Sequence, residues 1–274
     1  SKTNIIFPTE LKKDVVKVVR LIPKTGYYLI EILYDKETKQ SINKSNKKIA
    51  SIDLGLNNLA TVTSNSFNPL IINGKPLKSI NQYSNKMIAK YQRLLPNKQY
   101  SSNKINFIRY KREMKVNDYL SKSAKYLVNY LVSQSIKVLI VGTNTGWKQN
   151  INIGKRNNQN FTNIPFYKFK NKLAYLCKEA GIEFIEQEES YTSKSSFLDD
   201  DPLPTHPNPE KIVFSGRRIV RGLYKSKNKT INADVNGSLN ILKKYLISKA
   251  AWNENIFSDL VEACSTPRKI TVSF

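Results

Sequence analysis

The chain has 274 residues and carries 45 Lys and Arg against 21 Asp and Glu, a formal charge of +24 at neutral pH. A field that large repels itself until a polyanion neutralises it, so nucleic acid is the expected partner. An acidic membrane surface is the alternative, but no apolar run nears the roughly 18 residues of a span, and no membrane partner is expected.

The length allows one large domain or two smaller ones around a sizeable core. Cys177 and Cys264 lie far apart and match no disulfide or metal spacing, which suits a reducing cytoplasm. The opening Ser1-Lys2 and the strands that follow read as the middle of a longer protein.

Residues 15–22 (VVKVVRLI) and 27–34 (YYLIEILY) flank Pro-Lys-Thr-Gly and predict a β-hairpin with a four-residue loop. A polar, basic linker over 36–48 leads to KIASIDLGLNN at 48–58. There Ile49, Ser51 and Asp53 alternate with Ala50, Ile52 and Leu54, a short strand ending in an acid and a glycine turn. Leu59–Thr63 and Pro69–Ile72 supply two further strands of a meander.

From Lys75 to Tyr126 there are thirteen Lys/Arg and two acids, Glu113 and Asp118. Ile80, Tyr83, Met87, Tyr91 and Leu94 recur at helical steps, and a second helix is expected from about Lys104 to Ser133. A charge run is usually a solvated face. The one-sided charge and interleaved aromatics favour a surface for nucleic-acid backbone, with Arg109, Lys111 and Arg112 among its contacts.

Lys137–Val141 (KVLIV) reads as a strand buried on both faces. A polar connection with Trp147 and Lys148 follows, and then a helix with Phe166, Phe169, Leu173, Leu176 and Ala180 on one stripe. Gly181 caps that helix before a strand that begins at Ile182 and ends in Glu186-Gln187-Glu188-Glu189. Strand, helix, strand in this order predicts two parallel strands. The proline-rich 199–211 excludes regular structure. Arg217, Arg218 and Arg221 mark a basic stretch, and a last helix runs from about Asp234 to Leu246. Residues past 250 give no clear signal and read as a tail.

Three strands, helices, a strand, a helix, a strand and a final helix is the element order of the RNase H-like fold. That fold places carboxylates at the end of its first strand, near its fourth strand and on a later helix. The candidates are Asp53, an acid within 142–189, and Asp234. Either aspartate could instead open a turn or cap a helix. Acids meeting at one sheet edge would repel unless hard divalent ions lay between them.

Four stretches carry a family resemblance: IASIDLGLNNLATV, SYTSK at 190–194, RGLY at 221–224 and NADVNGSLNIL at 232–242. Together they resemble the RuvC nuclease domain of TnpB proteins, RNA-guided endonucleases of bacterial insertion sequences related to type V CRISPR effectors and Fanzor proteins. The likeness runs from about residue 48 to 246. It implies an α/β, RNase H-like (RuvC) mixed sheet flanked by helices, over 48–250. Within that span lie a helical basic insertion at 75–135 and a loop region at 190–231. Residues 1–47 resemble the end of a wedge-type β-domain, whose upstream part, with a recognition lobe, would be missing.

Two departures from the family stand out. Where most members end the fourth strand with a catalytic Glu, this chain has Gly142. Either the site is dead or the acid has moved. The parallel fifth strand opens on the same edge, and a rearranged arrangement seen in Fanzor proteins and some relatives points to Glu189, with Glu188 as the fallback. The family also follows its Thr-Ser with paired CxxC motifs for zinc. Here Ser196 and Asp199 stand where the first pair would fall, so no structural zinc is expected. His206, among prolines, reads as a loop residue.

The implied function is RNA-guided, metal-dependent DNA cleavage in a prokaryotic cytoplasm, associated with the nucleoid. Asp53, Glu189 and Asp234 would hold Mg²⁺ or Mn²⁺. Basic residues in 75–126, 148–156 and 217–225 would bind guide RNA or target DNA, with Trp147 or another aromatic stacking on unpaired bases. A nuclease-dead RNA-guided binder and a guide-independent RuvC-like nuclease remain as alternatives.

Overall fold

The computed structural model describes residues 15–24, 27–35, 48–144, 164–205, 212–253 and 262–273. The linker at 36–47, Trp147, Lys148 and His206 lie outside them.

Two strands, β1 (Val16–Lys24) and β2 (Tyr27–Tyr34), form an antiparallel ribbon in which Lys24 faces Tyr27. The expected four-residue loop is thus two residues, because Pro23 and Lys24 extend the first strand. The tip of the ribbon rests on the long second helix, where the Tyr27 and Tyr110 rings meet at a tilt of 55° with centroids 4.7 Å apart.

The main sheet has six strands in the order β11-β5-β4-β3-β6-β7. Its centre is β3 (Ile49–Leu54), antiparallel to β4 (Asn58–Ser64) and parallel to β6 (Val138–Thr143). On one side β5 (Leu70–Asn73) pairs antiparallel with β4, and on the other β7 (Glu183–Glu188) pairs parallel with β6. The parallel pair is the one expected from the strand-helix-strand pattern. At the far edge β11 (Arg268–Ile270) adds a parallel strand beside β5. Part of the expected tail therefore belongs to the sheet; a three-residue basic strand carries too little periodicity to be read.

Alternation along β3 sends Ala50, Ile52 and Leu54 to one face and Ile49, Ser51 and Asp53 to the other. The first face packs on α1 (Lys75–Gln92), α2 (Asn103–Ser133) and α3 (Phe166–Ala180) through one apolar cluster. Gly181 ends α3 at φ +73°, a left-handed turn that glycine adopts without a Cβ clash. The second face packs on α4 (Ala233–Ser248) and the short strand Thr230–Asn232 (β10).

Between β7 and α4, residues 190–205 run over α4, and the strands β8 (Arg217–Val220) and β9 (Leu223–Lys225) complete a three-stranded sheet with β10. This covering buries α4 almost all round, including Asn236, Asn240, Lys243 and Lys244. A sheet with this strand order, helices on both faces and one antiparallel member is RNase H-like, as the element order predicted.

Candidate active site and nucleic-acid interface

Asp53 ends β3 on the face that meets α4. The approach is close because α4 presents Gly237 and Ser238 to the strand. A Cβ on Gly237 would lie 2.8 Å from Asp53 Oδ2. One turn of hydroxyls locks the two elements: Ser51 Oγ donates to the Ser238 carbonyl at 2.7 Å and lies 2.8 Å from Thr63 Oγ1. The small residues of NADVNGS thus set the depth at which the helix start meets the strand end.

Glu189 follows β7, and its amide donates to the Thr143 carbonyl at 3.2 Å. Its carboxylate turns back over Gly142. A Cβ at position 142 would collide with Glu189 Oε2 and would lie 2.5 Å from Ile241 Cδ1. The missing side chain at 142 is therefore the room in which the Glu189 carboxylate sits. Burial, and then the neighbouring Glu188, push the Glu189 carboxyl up to about 7 against the pull of Lys170 and Lys244.

Glu188 points elsewhere. One oxygen accepts from the Ser190 amide and the other from Lys244 Nζ, each at 2.5 Å. Burial would raise its carboxyl, but these bonds outweigh it and hold the group below its usual value. Lys244 is itself buried, and withdrawing Glu188 would strand that cation.

Asp234 lies in the first turn of α4, whose cap is Asn232: the Asn232 side chain accepts from the amides of Asp234 and Val235. Leaving the cap to Asn232 frees the Asp234 carboxylate for other partners. Asn58 Nδ2 donates to Oδ2 at 2.7 Å and Arg218 lies 3.3 Å from Oδ1. Asn58 in turn accepts from Lys269 Nζ at 2.8 Å, so the edge strand β11 reaches the site through one amide. Neither Asn58 nor Lys269 carried a sequence signal beyond the turn that contains Asn58.

These elements bring Asp53, Glu189 and Asp234 to one sheet edge. Burial, followed by the charges of Glu189 and Asp234, raises the Asp53 carboxyl well above its usual range, and Arg218 opposes this. Among the described residues no hydrogen-bond donor serves the Asp53 or Glu189 carboxylates. Half-buried carboxylates without protein donors form an all-oxygen set of the kind that suits a hard divalent cation. The three face one another without closing into a cluster: among the described residues no three acidic, His or Cys side chains are gathered tightly enough to grip one ion.

The expected nucleic-acid residues divide. Arg109 and Lys111 are exposed on α2, and Arg217 and Arg221 are exposed around β8. Arg112 is turned inward, its Nε donating to Asn81 on α1 at 2.7 Å, so part of its donor capacity joins the two helices. Arg218 is committed to Asp234. Trp147 and Lys148 fall outside the described residues.

The arrangement is a set of carboxylates at one edge of an RNase H-like sheet. Comparison with known proteins carries this further. The family model described as a probable transposase matches residues 31–148, and the model for the Cas12f1-like TNB domain matches residues 166–241. The TnpB-like protein ORF457 of Acidianus two-tailed virus is 27% identical over 215 residues, which is 77% of this chain and 44% of that protein.

Two solved structures share the fold. A Cas12f1-sgRNA-target DNA complex superposes with a TM-score of 0.51 at 19% identity, over 81% of this chain and 55% of that one. A CRISPR-Cas12f ternary complex gives 0.50 at 18%, over 81% and 44%. The chain spans about half the length of the proteins it matches. The two family models and the ORF457 match make the chain similar to TnpB and Cas12f1-like proteins over most of its length.

Proposed function

We propose that this chain carries the RuvC-type cleavage centre of an RNA-guided, divalent-metal-dependent DNA endonuclease of the TnpB type. The observation that carries the reading is the complementarity of Gly142 and Glu189. The strand position that lacks an acid is the one whose space the neighbouring strand's carboxylate fills, within reach of Asp53's field. A dead site has no need to keep three acids at one edge, two of them half-buried without protein donors.

In this reading Asp53, Glu189 and Asp234 would have to draw together around Mg²⁺ or Mn²⁺, which when bound would supply Lewis-acid activation of a water and stabilisation of the leaving oxygen. Asn58 orients the Asp234 carboxylate. Arg218, which now neutralises Asp234, is placed to meet a phosphate. Exposed Lys and Arg of 75–126 and 217–225 track the backbone of guide RNA or target DNA, while base pairing with the guide reads the sequence. The two solved complexes that the fold resembles, one of them with sgRNA and target DNA, support nucleic-acid partners of this kind.

The test is cleavage of labelled single-stranded DNA in Mg²⁺ or Mn²⁺, with and without RNA that co-purifies with the protein. Asp53→Ala should abolish cleavage, and Glu188→Ala should leave it measurable in the fraction that folds. Cleavage that survives Asp53→Ala would sink the assignment, and cleavage indifferent to RNA would favour a guide-independent nuclease.

A further inference from the structure

Of the amphipathic stripe of α1 only Ile80 packs against the core. The helix buries Leu77, Asn81 and Ser84, while Tyr83, Met87 and Tyr91 line a groove of about 820 Å³ shared with Phe107 of α2. Tyr83 is 65% exposed and Phe107 52%. The groove belongs to the helical layer opposite α4, away from the three carboxylates.

Its rim is cationic. Lys104 Nζ lies 5.8 Å from the centre of the Tyr91 ring and Lys111 Nζ lies 5.4 Å from that of Phe107. Lys115 lines the same wall, and no acid lines the groove. An occupant must therefore offer flat apolar faces and negative charge together. An amphipathic protein helix would cover the rings but leave the lysines unneutralised. A nucleic-acid duplex would supply phosphates but keep its bases stacked on one another. A single strand supplies both, because each base has a free face and each linkage an anionic oxygen.

We propose that this groove holds an unpaired stretch of nucleic acid, with a base stacked against Tyr83 and Phe107 and its flanking phosphates on Lys104, Lys111 and Lys115. The inference rests on the nucleic-acid reading above but not on cleavage. The groove would hold a strand that is kept single, apart from the edge where chemistry is proposed.

The experiment uses Asp53→Ala protein, so that cleavage cannot interfere, with short RNA and DNA strands carrying a single 2-aminopurine. Binding should quench the probe, and an abasic nucleotide in its place should weaken binding. Tyr83→Ala with Phe107→Ala should weaken binding on the order of tenfold and remove the quench without changing the salt slope. Tyr83→Phe with Phe107→Tyr should restore both, which separates stacking from misfolding. Lys104→Ala with Lys111→Ala should lower the salt slope by about 1.4.

An unquenched probe, equal binding of the abasic strand, or parental binding by the double alanine variant would overturn the proposal. If DNA is cut normally while the groove variants bind as the parent does, the groove assignment fails and the nuclease reading stands. If base-dependent binding appears without any cleavage, the reverse holds.

Discussion

Asp53 and Glu189 carry the chemical tension of the site: both are pushed toward protonation by burial and then by neighbouring carboxylates. For Glu189, raised from 4.5 to about 7, the folded chain keeps a proton that the unfolded chain has already lost. Stability therefore falls as pH rises through that window and stays lower above it. Glu189→Gln removes the effect. In chelator, its unfolding free energy should match the parent's near pH 4.5 and exceed it at pH 8 by up to roughly 2–3 kcal/mol. A parent with a flat profile between those pH values would contradict the burial argument. Gly237 makes the steric counterpart. Gly237→Ala places a Cβ 2.8 Å from Asp53 Oδ2. It should cost about 1–3 kcal/mol in denaturant melts and lower cleavage beyond what the melt accounts for. At this scale the sequence was legible where a residue stood at the boundary of an element, as Asp53 does at the end of β3 and Asp234 at the start of α4. It could not decide between Glu188 and Glu189, since adjacent residues point to opposite faces and only the Lys244 contact shows which is occupied. Asn58 and Lys269 were missed because an amide and a lysine from a short edge strand leave no pattern.

The segment between β7 and α4 shows how an element persists without zinc thiolates. Asp199 accepts from Ser196 Oγ at 2.6 Å, from Ser215 Oγ at 2.9 Å and from the Lys227 amide. Asp201 accepts from the amides of Ser196 and Ser215. The segment is also tied to α4: Asn236 and Asn240 donate to the Ser195 carbonyl, and Lys243 to that of Asp201. Hydrogen bonds to two aspartates thus join the stretches at 196–201, 215 and 227. Asp199→Ala should cost about 1–3 kcal/mol, read as a fall of several degrees in Tm, because it removes the acceptor of Ser196 Oγ and of the Lys227 amide, while Ser215 Oγ keeps Asp201. A zinc-selective chelator should leave the parent's Tm unchanged, and a large drop would show a metal in this segment. Sequence patterning anticipated five of the six strands of the main sheet and the helices that pack on it, and missed β11. It read α4 as amphipathic on Val235, Leu239, Leu242 and Leu246, whereas the polar side is buried too, under a cover built from irregular chain. Long-range hydrogen bonds of that kind have no periodicity to detect.

Across the whole molecule, a net charge of +24 is distributed so that the carboxylate edge and the α1–α2 groove lie on opposite layers of one sheet. Binding and chemistry would then be separable, with binding weakening steeply as salt rises. The chain spans about half of its relatives, and the ribbon β1–β2 exposes Leu21, Tyr28 and Val19 on a surface that lacks a partner layer among the described residues. The account depends most on the claim that Glu189 supplies the carboxylate that position 142 lacks. A transplant tests it directly: DNA cleavage in Mg²⁺ by the parent, by Glu189→Ala, and by Glu189→Ala carrying Gly142→Glu. The single variant should lose activity, and the double variant, whose new side chain enters the vacated space, should regain part of it. A Glu189→Ala protein that cuts at the parental rate would contradict the claim.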